Sequence, residues 1–207
     1  MSRPPYAVAA RELLRETVLD ATDALLRERP WAEVTLAEVA KEAGISRQTI
    51  YNEFGSRTAL AQAYVLREGD RFLTGVQAAI EAHPGDPRGA LAAAFSEFLH
   101  AAHEHPLLRA IVAGDGGDEL LGLVTSHDSP VIAFAAERLA GFLTDGWPAL
   151  RPADARLVAD NLVRLAISHA ALPAGPIDDT AAGVARALGP FLDQLWSASR
   201  QAGAPAA

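Results

Sequence analysis

Apolar residues recur along almost the whole chain at three- and four-residue spacing, and no alternating run rich in β-branched residues stands between turn signals. This pattern predicts an all-α protein. A first helix spans 6–29: it starts after Pro4-Pro5 and stops at Arg29-Pro30, because the residue before a proline disfavours the α region. Leu14, Thr17, Val18, Ala21, Ala24 and Leu25 form its expected apolar face. Thr35-Leu36-Ala37-Glu38 then reads as a capping box, with the threonine hydroxyl accepting from the Glu38 amide and the glutamate reaching back to the threonine amide. A helix barely two turns long therefore begins at Leu36, turns Val39, Ala40 and Ala43 to one side, and closes at Gly44 in the left-handed conformation. Ser46 caps a second short helix over 47–54, which Gly55 ends in the same way.

Ser56 opens a long helix over 57–82, with Val65, Phe72, Leu73, Val76 and Ile80 along one side. Asp86 and Pro87 suit the cap and first position of a helix at 87–104. Further helices are expected at 106–113, 117–126, 130–146, 152–172 and 179–200, divided by prolines and by glycine-rich breaks such as Gly114-Asp115-Gly116-Gly117. The tail from Gly203 is expected to fray.

Composition narrows the class. Half of the 207 residues are hydrophobic and the net charge is -8, which excludes both a disordered tail and a basic histone-like binder. The acid is unevenly spread: ten basic residues face eleven acidic ones up to Phe72, whereas eight face fifteen beyond it. Only the N-terminal part can therefore approach an anionic polymer, and only through a local patch. Cysteine is absent and no basic start leads into an apolar export core, so a cytoplasmic protein is expected. No apolar run approaches the length of a membrane span, and no membrane partner is expected.

The two short helices joined by Gly44-Ile45-Ser46 form a helix-turn-helix, in which the first helix braces and the second presents its outer face to the major groove. Ile45, Ile50 and Phe54 anchor the second helix, leaving Arg47, Gln48, Thr49, Tyr51 and Asn52 exposed. Arg47 and Gln48 lie on its first turn, where arginine suits guanine or phosphate and glutamine suits adenine. Tyr51 reads as a phosphate contact. A plain αα-hairpin is the competing interpretation, and the Thr-Ile-Tyr and Gly-Ser-Arg framing argues against it.

Here the chain resembles the TetR family of bacterial transcriptional regulators. The residues that carry the resemblance run without a break from Thr35 to Arg57, followed by Leu60. They give a short helix, a Gly-apolar-Ser turn, a Thr-apolar-Tyr recognition helix, then Phe and a small-basic pair opening the next helix. The resemblance covers roughly 10–65 by motif and the remainder only by length and helical character. It implies that Thr35, Ser46, Arg47, Gln48, Thr49, Tyr51 and Arg57 occupy DNA-contacting positions, Arg57 standing where lysine is common. Glu53 departs from the pattern: many members carry histidine or tyrosine there, and a carboxylate facing phosphate is repelled. Glu53 is instead placed to pair with Arg57. The resemblance further implies two domains, a helix-turn-helix part over 1–56 and a regulatory part over 57–207, joined through the long helix 57–82.

Hydrolytic, metal and redox alternatives rest on thin signals. Glu97-x-x-His100 provides half of a di-iron motif with no second copy, and Ser126-His127-Asp128-Ser129 is better explained as a cap before Pro130. No cofactor and no metal are expected, and an all-α metal or redox enzyme carrying an incidental helix-turn-helix is the runner-up.

Three partners are expected: a pseudo-palindromic double-stranded DNA operator, a second copy of the chain and a small hydrophobic effector. For the dimer, Val158, Leu162, Leu165 and Ala166 stripe one late helix, while Val184, Leu188, Phe191, Leu192 and Leu195 stripe the last. Gly183 and Gly189 are placed to allow close approach. For the effector, Phe72, Phe95, Phe98 and Leu99 are expected to wall a cavity together with Ile111, Leu121, Phe134 and Phe142, with His100 or His103 as a polar anchor.

Overall fold

Prolines and capped polar residues set the helix limits. The computed structural model describes residues 6–105, 129–147 and 150–202. It contains α1 (Tyr6–Glu28), α2 (Leu36–Glu42), α3 (Arg47–Phe54), α4 (Arg57–Glu81), α5 (Pro87–Glu104), α6 (Pro130–Gly146), α7 (Pro152–Ala171) and α8 (Ile177–Ala202), with no strand among the described residues. The all-α expectation holds. The helices expected at 106–113 and 117–126, and with them Ile111, Leu121 and the Ser126–Asp128 run, lie outside the described residues.

The buried face of α1 is rotated from the expected one. Val18, Ala21 and Leu25 are buried as anticipated, but Leu19, Thr22 and Leu26 join them, while Thr17 and Ala24 face solvent. The cause is that α1 is held between α2 and α4, and Thr22 tolerates burial because its hydroxyl donates to the Val18 carbonyl at 2.8 Å. A turn of 3-10 helix at Trp31–Glu33 was not anticipated. It seats Trp31 in the core, 1% exposed.

Two apolar clusters organise the molecule. The first gathers α1, Trp31, α2, α3 and the start of α4; the second gathers the far half of α4 with α5 to α8. The first turn of α6 touches both, since Val131 belongs to the first cluster and the adjacent Ile132 to the second. α4 spans them in the same way, through Val65 and Val76.

Four residues expected at a dimer interface are committed to this chain's own core: Val158, Ala166, Val184 and Leu192 are all below 10% exposed. The reason is tertiary, because α7 packs on α6 and α8 on α5 within one protomer. Gly189 likewise serves an internal approach: a Cβ there would lie 2.7 Å from Arg88 Cγ of α5. Leu162, Leu165, Leu188 and Leu195 are half-buried, and Phe191 (48%) and Leu157 (59%) are exposed.

Candidate nucleic-acid interface

Local hydrogen bonds build the helix-turn-helix as its sequence specifies. The Glu38 amide donates to Thr35 Oγ1 at 3.3 Å and the Thr35 amide donates to Glu38 Oε2 at 3.0 Å, completing the capping box. Arg29 adds a donor to Glu38 Oε1 at 2.7 Å. Hydrogen bonds from the Thr35 hydroxyl and amide, and then from Arg29, hold the Glu38 carboxyl down to about 2. Gly44 closes α2 at φ 68° and Gly55 closes α3 at φ 75°, the left-handed region that favours glycine.

α3 is fixed by its inner face and open on its outer one. Ile50 is fully buried and Phe54 is 7% exposed, whereas Arg47, Gln48, Tyr51 and Asn52 face solvent and Thr49 is half-buried. Ser46 Oγ accepts from the Thr49 amide at 3.0 Å and lies 2.8 Å from Thr49 Oγ1. Gln48 Nε2 donates to Asn52 Oδ1 at 2.8 Å, so the two amides are aligned before any partner arrives. Six of the eight expected contact residues, from Ser46 to Asn52, thus lie on α3 or at its N-cap, and Thr35 caps α2.

Arg57 is the exception. Its Nε donates to the Val34 carbonyl at 2.9 Å, Nη2 donates to the Trp31 carbonyl, and the guanidinium lies over the Trp31 ring, 4.3 Å from its centroid. The side chain braces the segment before α2. It does not pair with Glu53. Arg15 Nη1 donates to Glu53 Oε1 at 2.7 Å, and Arg11 Nε donates to both Glu53 oxygens at 3.0 and 2.9 Å. Burial pushes the Glu53 carboxyl up, but the hydrogen bonds and charges of these two arginines outweigh it and hold it below the usual range. Sequence reasoning missed Arg11 and Arg15, although their i,i+4 spacing on one face of α1 was legible.

A second feature lies in the larger cluster. Residues of α4, α5, α6, α7 and α8 line a partly open cavity of about 170 Å³, with Phe72, Phe95 and Phe98 among its walls. Leu99 is buried nearby without lining it, Phe134 does not line it, and Phe142 borders a separate cleft with Trp147 and Trp196. His100 and His103 are exposed on the opposite side of α5, His100 Nε2 lying 3.5 Å from Asp178, because at about 100° per residue they fall away from the Phe95 and Phe98 face.

Among the described residues, the polar group at the cavity is Glu68, 4% exposed. Its Oε1 accepts from Arg67 Nε at 2.9 Å and Arg71 Nη1 at 3.0 Å, and its Oε2 lies 3.2 Å from His105 Nε2. Arg67 continues to Asp20 at 2.7 Å and to the Leu19 carbonyl at 3.1 Å, which ties the end of α5 through α4 to α1. His105 also stands edge-on to Phe72. Among the described residues, no group of three or more histidines or carboxylates is arranged to hold a metal ion, and no helix is long and apolar enough to cross a membrane.

Comparison with known proteins agrees with this architecture on both sides of the junction. The family profile of bacterial regulatory proteins of the tetR family matches residues 18–64, and that of the bacterial tetracyclin repressor C-terminal domain matches 86–190. The HTH-type transcriptional regulator AlkX of Mycobacterium tuberculosis is 42% identical over 94% of this chain and 92% of its own length. An HTH-type regulator of the same species, Rv1255c, is 32% identical over 94% of this chain and 93% of its own. Among solved structures, the TetR family repressor AlkX of a Dietzia strain, implicated in biodegradation of n-alkanes, superposes with a TM-score of 0.77 at 38% identity, covering 87% of this chain and 95% of that one. With a capped helix-turn-helix at one end, a helical bundle around a cavity at the other, and likeness along nearly the whole length of other regulators, this chain belongs to the TetR family of transcriptional regulators.

Proposed function

We propose that this protein is a homodimeric repressor that binds a pseudo-palindromic operator through α3 and is released when an elongated apolar molecule fills the cavity beside α4. The observation that carries the DNA-binding half is the outer face of α3, where Arg47, Gln48, Tyr51 and Asn52 stand exposed above a fully buried Ile50. Thr35, Ser46 and Thr49 complete the contact set. The division at residues 56 and 57, with α4 as the tie between the two parts, belongs to the same reading. The matched relatives are regulators, which leaves a metal or redox enzyme without a supporting likeness.

Cavity shape argues for a chain-like effector. Its lining on α4 runs from Val65 through Phe72 to Ile80, about 22 Å at a rise of about 1.5 Å per residue, yet its volume is only about 170 Å³. A long, apolar lining suits a linear alkyl chain. The similarity to a repressor implicated in n-alkane biodegradation points the same way. Val65 and Val131 line the cavity and also belong to the helix-turn-helix cluster, so an occupant that shifts them acts on the reading heads. It must bind the DNA-incompetent arrangement more tightly.

The test is footprinting of the purified protein on the DNA upstream of its own gene. A protected pseudo-palindrome is expected, with half-sites spaced by whole helical turns, and Arg47→Ala weakens it by about 1–3 kcal/mol. Hexadecane is expected to release the site while raising the melting temperature of the free protein. Absence of any protected site overturns the operator reading, and protection indifferent to linear alkyl compounds overturns the effector reading alone.

A further inference from the structure

We propose that Arg11 of α1 is a DNA-phosphate contact and that Glu53 of the recognition helix is the residue that positions it. The proposal rests on the reading that α3 meets DNA, and extends the interface to a helix outside the helix-turn-helix. Glu53 follows Asn52 directly and is four residues beyond Thr49, on the flank of α3 that faces α1. A carboxylate there, alone, would repel the phosphate backbone. It is not alone: two guanidinium groups consume it, leaving its side chain 9% exposed and the three groups together with one net positive charge.

The two arginines differ in what they have left to offer. Arg15 lies with its guanidinium 4.9 Å from the centroid of the Phe54 ring, and its side chain is 38% exposed. It is a packing group. Arg11 is 66% exposed and meets Glu53 only through Nε, and among the described residues neither of its terminal nitrogens has a partner. Its guanidinium is therefore anchored at Nε and keeps both terminal amino groups for a further acceptor, donors that suit a phosphate oxygen pair. Because the carboxylate already restricts the side chain, less rotamer freedom is lost when the phosphate arrives. The acidic residue that departs from the family pattern thus supplies a cation in place of the neutral side chain it displaces.

The experiment measures affinity for a mixed-sequence DNA duplex, and for the fragment upstream of the protein's own gene, across a salt series. Each phosphate contact contributes about 0.9 to the slope of log affinity against log salt, so Arg11→Ala is expected to flatten it by about 0.9 per reading head and about 1.8 for a two-headed complex. Arg27→Ala removes the same charge from the far end of α1 and is expected to leave the slope unchanged. In a Glu53→Gln background, Arg11→Ala is expected to cost less affinity than in the natural chain, because the positioning has already been lost. Circular dichroism and melting verify that each variant is folded, and Arg11→Gln replaces Arg11→Ala if that variant is not.

A natural chain that binds neither duplex overturns the DNA-binding reading itself. Binding with an Arg11→Ala slope equal to the natural one, or a slope flattened as much by Arg27→Ala, overturns the phosphate contact. Equal losses in both backgrounds overturn the positioning role of Glu53.

Discussion

Thr35 caps α2 and also holds the side chain of Glu38, and the two roles separate by pH. Replacing the cap by alanine is expected to lower stability by about 1 kcal/mol at neutral pH, measured by denaturant unfolding of Thr35→Ala beside the natural chain. The Glu38 carboxyl, held to about 2 from an ordinary 4.5, is a depressed acid. Its contribution is fully present above the ordinary value and is lost as pH falls through the folded one. The difference between the two proteins is therefore expected to narrow between pH 4.5 and 2, and a constant difference would show that the carboxylate adds nothing to the cap. The capping box was legible because every group in it lies within four residues. Arg57 was not, because what it stacks on is Trp31, twenty-six residues earlier.

At the scale of elements, α4 is the member whose two ends belong to different cores, and Glu68 sits where they meet. Burial pushes its carboxyl up, yet hydrogen bonding to His105 and the charges of Arg67 and Arg71 keep it below the usual range. Removing it strands Arg67, whose side chain is only 8% exposed. Glu68→Ala is expected to cost about 3 kcal/mol in denaturant unfolding, at the lower end for a broken buried pair because Arg67 keeps Asp20 and the Leu19 carbonyl. A loss below about 1 kcal/mol would mean that water replaces the carboxylate at no cost. The periodicity of α4 marked its apolar side correctly at Val65, Leu73 and Val76, but an acidic residue in that stripe carries no sign of burial until its partners from α1 and the end of α5 are in place.

For the whole molecule, the packing of α7 on α6 and of α8 on α5 decides which surface is left for a second copy. Phe191, from the expected stripe, and Leu157, outside it, are large apolar groups that α8 and α7 leave exposed. If the dimer forms across these helices, Phe191→Arg is expected to weaken it by about 2 kcal/mol or more, roughly thirtyfold in dissociation constant, read by sedimentation across a concentration series. An unchanged dimer would place the interface elsewhere. The same packing opened the cavity and chose its walls: Phe72, Phe95 and Phe98 face it, and His100 and His103, two and five residues beyond Phe98, do not.

By itself the sequence determined the all-α class, the helix limits, the caps, the glycine closures and the outer face of α3, because each follows from interactions within a few residues of chain. Only the tertiary structure decided the rotation of α1, the burial of Trp31 beneath Arg57, the capture of Glu53 by Arg11 and Arg15, and the Glu68 junction. These depend on which helix lies against which, and helical periodicity says that a face is buried without saying against what. A charged side chain is the sharpest case. Its partner can come from any element that packs nearby, so Glu53, four residues from one arginine in sequence, found two others on a helix some forty residues earlier.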